Sequence, residues 1–152
     1  MAYTDAEAAQ HLLDTLAGAA DELGIALAYL GEAYEQLDEA TADRLEDELF
    51  RPVQVAYGRA QRVHAEFAER RGLPDHPFEA AHPHTREHDS AGIIASAVAA
   101  VERAESSLAT LQDSMLPVDV GDPPLRAGLE QVRVLLGDIR ERAREVTRRM
   151  GR

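Results

Sequence analysis

The stretch TDAEAAQHLLDTLAGAADELGIALAYLGEAYEQLD, residues 4–38, decides the fold. Taking Leu13 as a first core position, Leu13, Leu16, Ala20, Leu23, Leu27, Leu30, Tyr34 and Leu37 follow at steps of three or four residues. That is the period of one helix face. Ala19, Ala26 and Ala33 flank this seam on one side, and Ala17, Gly24 and Gly31 on the other. Glycine costs roughly 1 kcal/mol against alanine inside a helix, so Gly24 and Gly31 predict a close neighbour on their flank. Thr4-Asp-Ala-Glu7 supplies a capping box at the start. A long helix gripped from two sides implies a helical bundle.

Working outward, three more helical patterns appear. Asp43-Arg-Leu-Glu46 is a second capping box, with Thr41 or Asp43 as the expected N-cap. It opens a pattern carrying Leu49, Val53, Ala56, Ala60, Val63 and Phe67, with Phe50, Tyr57 and His64 spaced by seven beside it. Pro52 lies inside this pattern, which predicts a kink or a separate short helix before it. Arg70-Arg71-Gly72-Leu73-Pro74 is the clearest stop signal in the chain. The third pattern runs through Ile94, Ala97, Val101, Ala104, Leu108 and Leu111 to Leu116, before Pro117. After a second loop, Asp122-Pro123 opens a fourth, with Leu125, Leu129, Val132, Leu136, Ile139, Ala143 and Val146. Strand signals are missing throughout. The expected fold is therefore all-α: one domain over residues 1–152, a four-helix, mostly up-and-down antiparallel bundle. Its helices are expected at about 4–39, 43–71, 86–116 and 123–150, with a long connection between the second and third that Phe78 would pin down.

Composition narrows the function classes. A chain of 152 residues can bury about two-thirds of its unfolded surface as one domain. It has no cysteine, which excludes disulfides and thiolate metal sites. All sixteen basic residues are arginine, a usage that together with abundant alanine points to a GC-rich bacterial genome. The net charge of −12 is unevenly placed: residues 1–50 hold thirteen acids against one arginine, while the remainder balances. A duplex nucleic-acid binder needs the opposite sign, so no nucleic-acid partner is expected. The longest apolar run, Ile93–Val101, is far shorter than the roughly 20 residues of a membrane span. With no signal-peptide pattern at the N-terminus, a cytoplasmic protein without a membrane partner is expected.

Four of the six histidines, His76, His82, His84 and His88, fall in the proline-rich connection from Gly72. Imidazole binds Zn, Ni or Cu, and His84 and His88 at a spacing of four would share a helix face. The string His84-Thr-Arg-Glu-His88 also fits the H-x-x-E-H pattern of inverted zinc peptidases, but prolines precede it where those enzymes have mid-helix. The Glu-x-x-His pattern of di-iron bundles occurs once, at Glu79–His82 in the connection, which excludes that chemistry. His64 with His84 and His88 imitates the triad of three-histidine metal bundles, although there the paired histidines lie deep in a later helix. Arg59 to His64 fits the arginine–histidine spacing of certain helical ribonucleases, at a frequency that chance supplies. His64 itself reads as the partly buried end of the Phe50–Tyr57 stripe. The arginines of the fourth helix are expected to select a neighbour: Asp14, Asp21 and Glu35 would meet Arg133 and Arg140 if the first and fourth helices touch.

No catalytic set is placed by these patterns. The leading expectation is a non-enzymatic interaction or assembly module that binds a protein partner or itself as a homo-oligomer, without a cofactor. The alternative is a small bundle holding a divalent metal through His84, His88, His82 and His64.

Overall fold

The computed structural model describes residues 4–83 and 89–150, and these are all-helical, with no strand among them. α1 spans Asp5–Glu35. The N–H of Glu7 donates to Thr4 Oγ1 at 3.1 Å and that of Thr4 to Glu7 Oε2 at 3.2 Å, which completes the capping box. α1 stops short of the expected residue 39 because Asp38 starts the next helix, accepting the N–H of Thr41 at 2.8 Å. The N-cap is thus neither Thr41 nor Asp43. The same N–H holds the exposed Asp38 carboxyl below its ordinary pKa, as an anion at a helix N-terminus should be.

α2, Glu39–Leu45, runs through a π turn, Glu46–Phe50, into α3, Arg51–Arg71. The cause is Pro52, which has no N–H to return to the carbonyl of Glu48 and would crowd it in a regular helix. The wider turn closes instead with the N–H of Arg51 on Glu46 O, and Glu48 O accepts from Arg142 Nη1 at 3.4 Å. α3 ends as predicted. Gly72 takes φ +65, and the N–H of Leu73 reaches Ala68 O at 2.8 Å, a Schellman closure.

α4 spans Ser90–Asp113, capped by Asp89, which accepts the N–H of Gly92 at 2.6 Å. It ends before Leu116, where Ser114 turns extended and a four-residue α5, Leu116–Asp119, occupies part of the expected loop. α6, Pro123–Leu136, starts on Asp122 with proline at its first position. α7, Ile139–Met150, follows after a break at Gly137-Asp138, so the expected fourth helix is two.

Contacts at the ends of the helices fix their directions. Arg71 donates to Asp5 O at 3.3 Å, placing the end of α3 beside the start of α1. Ser90 Oγ lies 3.4 Å from Gln36, placing the start of α4 beside the end of α1. Arg70 grips Asp122 with two bonds of 2.7 and 2.8 Å, placing the start of α6 beside the end of α3. α3 and α4 therefore both run against α1, and α6 runs against α3. The eighteen residues from Gly72 to Asp89 have to gain the length of α4, about 36 Å at 1.5 Å per residue, within an extended reach of about 60 Å.

α1 lies between α4 and α3, α6 packs on α3, and α7 rests on α4 and the π turn. The arginines of α6 and α7 consequently meet α4 and not α1: Arg133 pairs with Glu105 and Arg140 with Glu102, each at 2.8 Å. The expected pairing of Arg133 and Arg140 with Asp14, Asp21 and Glu35 does not form.

Most of the expected seam of α1 is buried: Leu13, Leu16, Ala20, Leu23 and Leu30 are, together with the flanking Ala19, Ala26 and Ala33, while Tyr34 is 41% exposed and Leu27 and Leu37 are half-buried. Glu22, a turn from both Ala19 and Ala26, reaches Arg103 of α4 at 3.0 Å, so the alanine flank is the one facing α4. Small residues define the interior here because α4 answers with its own Ala97, Ala100 and Ala104. Helices with alanine on both sides approach closely. The close approach expected at Gly24 and Gly31 is reduced to the Tyr57 ring, 3.4 Å from a Cβ built on Gly24; Gly31 meets nothing within 4 Å. The true backbone-limited crossing is at Gly128 of α6, where a Cβ would overlap the methyl groups of Val63.

Candidate functional site: a histidine cluster and an arginine-rimmed groove

The Phe50–Tyr57–His64 stripe of α3 ends under the connection, and His64 is buried, only 2% exposed. Phe78 packs edge-on against it at 5.7 Å between ring centres, and against Tyr57 at 6.4 Å and His76 at 4.5 Å. Phe78 thus pins the connection, as its isolation among polar residues suggests. The His76 ring lies 5.9 Å from that of His64, and its Nε2 is 3.3 Å from Asp21 of α1. Asp75 accepts the backbone N–H of His76 at 2.8 Å. Its carboxylate stands 3.7 Å from His64 Nδ1, too far for a hydrogen bond, and that buried nitrogen has no hydrogen-bond partner among the described residues. Burial foremost, and the neighbouring His76, lower the pKa of His64; Asp75, Asp14 and Asp21 pull against them without winning. His64 is a neutral imidazole in a mostly apolar socket.

Of the metal-ligand candidates, His64 is brought to His76, which sequence reasoning had not singled out with it. His82 is exposed on the connection and joins no cluster among the described residues, and His84 and His88 lie outside them. Among the described residues, no three His, Asp or Glu side chains converge as a metal ion would require. The cluster offers one buried, uncharged nitrogen and a carboxylate nearby.

A second feature was not legible in the sequence. Between α4 and α7 lies a groove of about 560 Å³. Its floor is Ile94 and Ala143, and its α4 wall is Ala91, Ala95, Val98 and Ala99. The other wall carries Arg140, Arg144 and Arg148 of α7. Arg140 is bound across the groove by Glu102, whereas Arg144 has no acid partner among the described residues. Arg148 leans on Glu145 of its own helix at 3.3 Å. Further along the same seam Arg133 and Glu105 bridge α6 and α4. Ion pairs therefore cross the seam at one end, beside a smaller hollow lined by Val98, Val101 and Leu136, and among the described residues none crosses it beyond Arg140, where α4 presents alanine opposite arginine. A volume of this size falls within the range of ligand and peptide sites, about 300–1,000 Å³.

In comparisons with known proteins, no family, no curated protein and no solved structure matches this chain. No helix among the described residues is long and apolar enough to cross a membrane.

Proposed function

We propose that the chain is a non-enzymatic interaction or assembly module, a four-helix bundle with one connection crossing its length, and that the α4–α7 groove is the surface it offers. One observation carries this reading: an apolar groove with an arginine rim, open along its side among the described residues, and larger than the hollow that Val55 and Val134 border. The histidine cluster supports it indirectly, because its groups are arranged to hold the connection and not to act on a substrate. The test is a photoreactive benzoylphenylalanine at Ala95, with Glu69 on exposed α3 as control, in the native host. A protein adduct of one mass at Ala95 and none at Glu69 is expected. Adducts at neither position, or equally at both, would remove the groove from consideration.

The unpartnered Nδ1 of His64 favours one second reading, a divalent-metal-binding bundle that would recruit His82, His84 and His88 to it. A ligand held only by the native state raises its melting temperature. The interaction reading expects equal melting with Zn and with chelator. A Zn-dependent rise, lost on replacing His82, His84 and His88 by Gln, would establish the metal.

A further inference from the structure

We infer that the occupant of the α4–α7 groove is an acidic amphipathic helix from another protein. This inference rests on the interaction reading above and adds the chemistry of the partner. Three observations select it.

The first is charge. The groove is lined by three arginines and one glutamate, a net of +2, in a chain that carries −12. Glu102 already satisfies Arg140 and Glu145 lies 3.3 Å from Arg148, so the charge left over among the described residues sits on Arg144, opposite alanines that supply nothing. An occupant with carboxylates on that flank completes the pairing that Glu102 and Glu105 provide further along the seam.

The second is shape. Ala91, Ala95 and Ala99 recur every fourth residue on α4, and Arg140, Arg144 and Arg148 do so on α7. Each set is a single ridge of its helix, and the trough between two such ridges seats a third helix of about two to three turns. Small side chains on one ridge let its backbone approach. The trough opens to solvent along its length, which suits a helix lying in it more than a lipid tail that needs enclosure.

The third concerns the source. A second copy of this chain would have to present a helix with a free apolar stripe. The exposed large apolar side chains among the described residues are Tyr34, Val55, Met115, Val118 and Val134; Val55 of α3 and Val134 of α6 share one hollow with Pro52 and Leu135, but they come from two helices. No described helix has a stripe of them, so the partner is a different protein.

The probe is a labelled 21-residue peptide of three heptads, with leucine in the core positions, glutamate on the flanks and alanine elsewhere. Its counterpart carries lysine in place of glutamate. Fluorescence anisotropy is expected to show binding of the acidic peptide alone, weakening with salt. Arg144→Glu with Arg148→Glu should weaken it about tenfold or more, and Ala95→Trp, which fills the groove from an exposed position, should abolish it. Far-UV spectra and melting of both variants confirm that they fold. Equal binding of the two peptides would overturn the inference, as would binding unaffected by Ala95→Trp. Dodecanoate binding without peptide binding would assign the groove to a lipid-like anion instead. Sedimentation showing self-association that Ala95→Trp abolishes would assign it to a second copy. An adduct at Ala95 without any preference for the acidic peptide retires the acidic partner and leaves the interaction reading standing; neither adduct nor peptide binding retires both.

Discussion

α4 meets α1 along one side and α7 along the other, and the two sides are built from nearly the same residues. Toward the interior it places Ile93, Ala97, Ala100, Ala104, Leu108 and Leu111, all buried. Toward α7 it places Ala91, Ala95, Val98 and Ala99, which stay partly or fully exposed. Alanine stripes have opposite consequences on the two sides because of what faces them. α1 offers its own alanines and leucines without a break over 31 residues, so the two backbones come together. α7 is a separate helix of 12 residues, set off by Gly137-Asp138, and its facing ridge is arginine. Long charged side chains bring their stems to an apolar wall and keep their heads in water, which holds the wall at a distance. The lesson is that a small-residue stripe closes an interface only when the partner stripe is small as well.

The largest effect that tests this contrast is expected in the core. Leu108→Ala and Leu23→Ala each remove a fully buried side chain from the α1–α4 packing and should cost about 2 to 5 kcal/mol in denaturant unfolding. Leu27→Ala, half-buried, should cost clearly less, and Ala95→Leu in the groove should cost next to nothing. If Leu27→Ala matched Leu23→Ala, the interior of α1 would extend along the whole leucine period and the half-burial of Leu27 would be refuted.

That example also shows how far the sequence reaches. Periodicity and caps revealed the helical class, the stop at Gly72, the start at Asp122-Pro123 and the disturbance at Pro52, because each depends on local chemistry. On α1 the leucine pattern placed most of the seam but kept Leu27 and Tyr34 in it, which end half-buried and exposed, because how far each flank is covered is decided by helices distant in the chain. The groove was illegible for the same reason. Ala95 and Ala97 look alike in a run of small residues, and only the path of α7 makes one a wall and the other core. Of the histidines, the Phe50–Tyr57 spacing placed His64 correctly at the core edge. Its neighbour His76 reaches it through the path of the connection, which no local spacing encodes.

A smaller effect separates the glycines. Gly128→Ala forces a Cβ into Val63, where α6 crosses α3, and should cost about 1 to 3 kcal/mol as overpacking does. Gly31→Ala meets nothing within 4 Å and should stabilise α1 by up to about 1 kcal/mol through helix propensity. The same substitution thus changes sign between a closed crossing and an open face. Destabilisation by Gly31→Ala would show a neighbour on the open side of α1. Smaller again is the bridge across the seam: Glu105→Gln should cost about 0 to 1 kcal/mol, because the pair with Arg133 is partly in water.

The smallest effect is a slope, and it lies at the histidine cluster on the opposite side of α1. Burial holds the pKa of His64 below its ordinary value of about 6.5, so between that value and the folded one the unfolded chain binds the proton more readily. Stability from this group is therefore unchanged above about pH 6.5, declines as pH falls through that region, and levels off below the folded pKa. The groups facing His64 are Asp14 and Asp21 from α1 and Asp75 and His76 from the connection. The carboxylates limit the decline without cancelling it. His64→Phe keeps a ring in the socket beside Phe78 and removes the proton site, so its melting temperature should fall less between pH 7.5 and 5.5 than that of the wild type. Asp75→Asn removes an opposing charge and should make the fall steeper. Both are read as differences in slope, which a uniform change in packing does not produce. Parallel pH profiles for all three proteins would mean that His64 is hydrated in solution and that the connection does not seal it against α3.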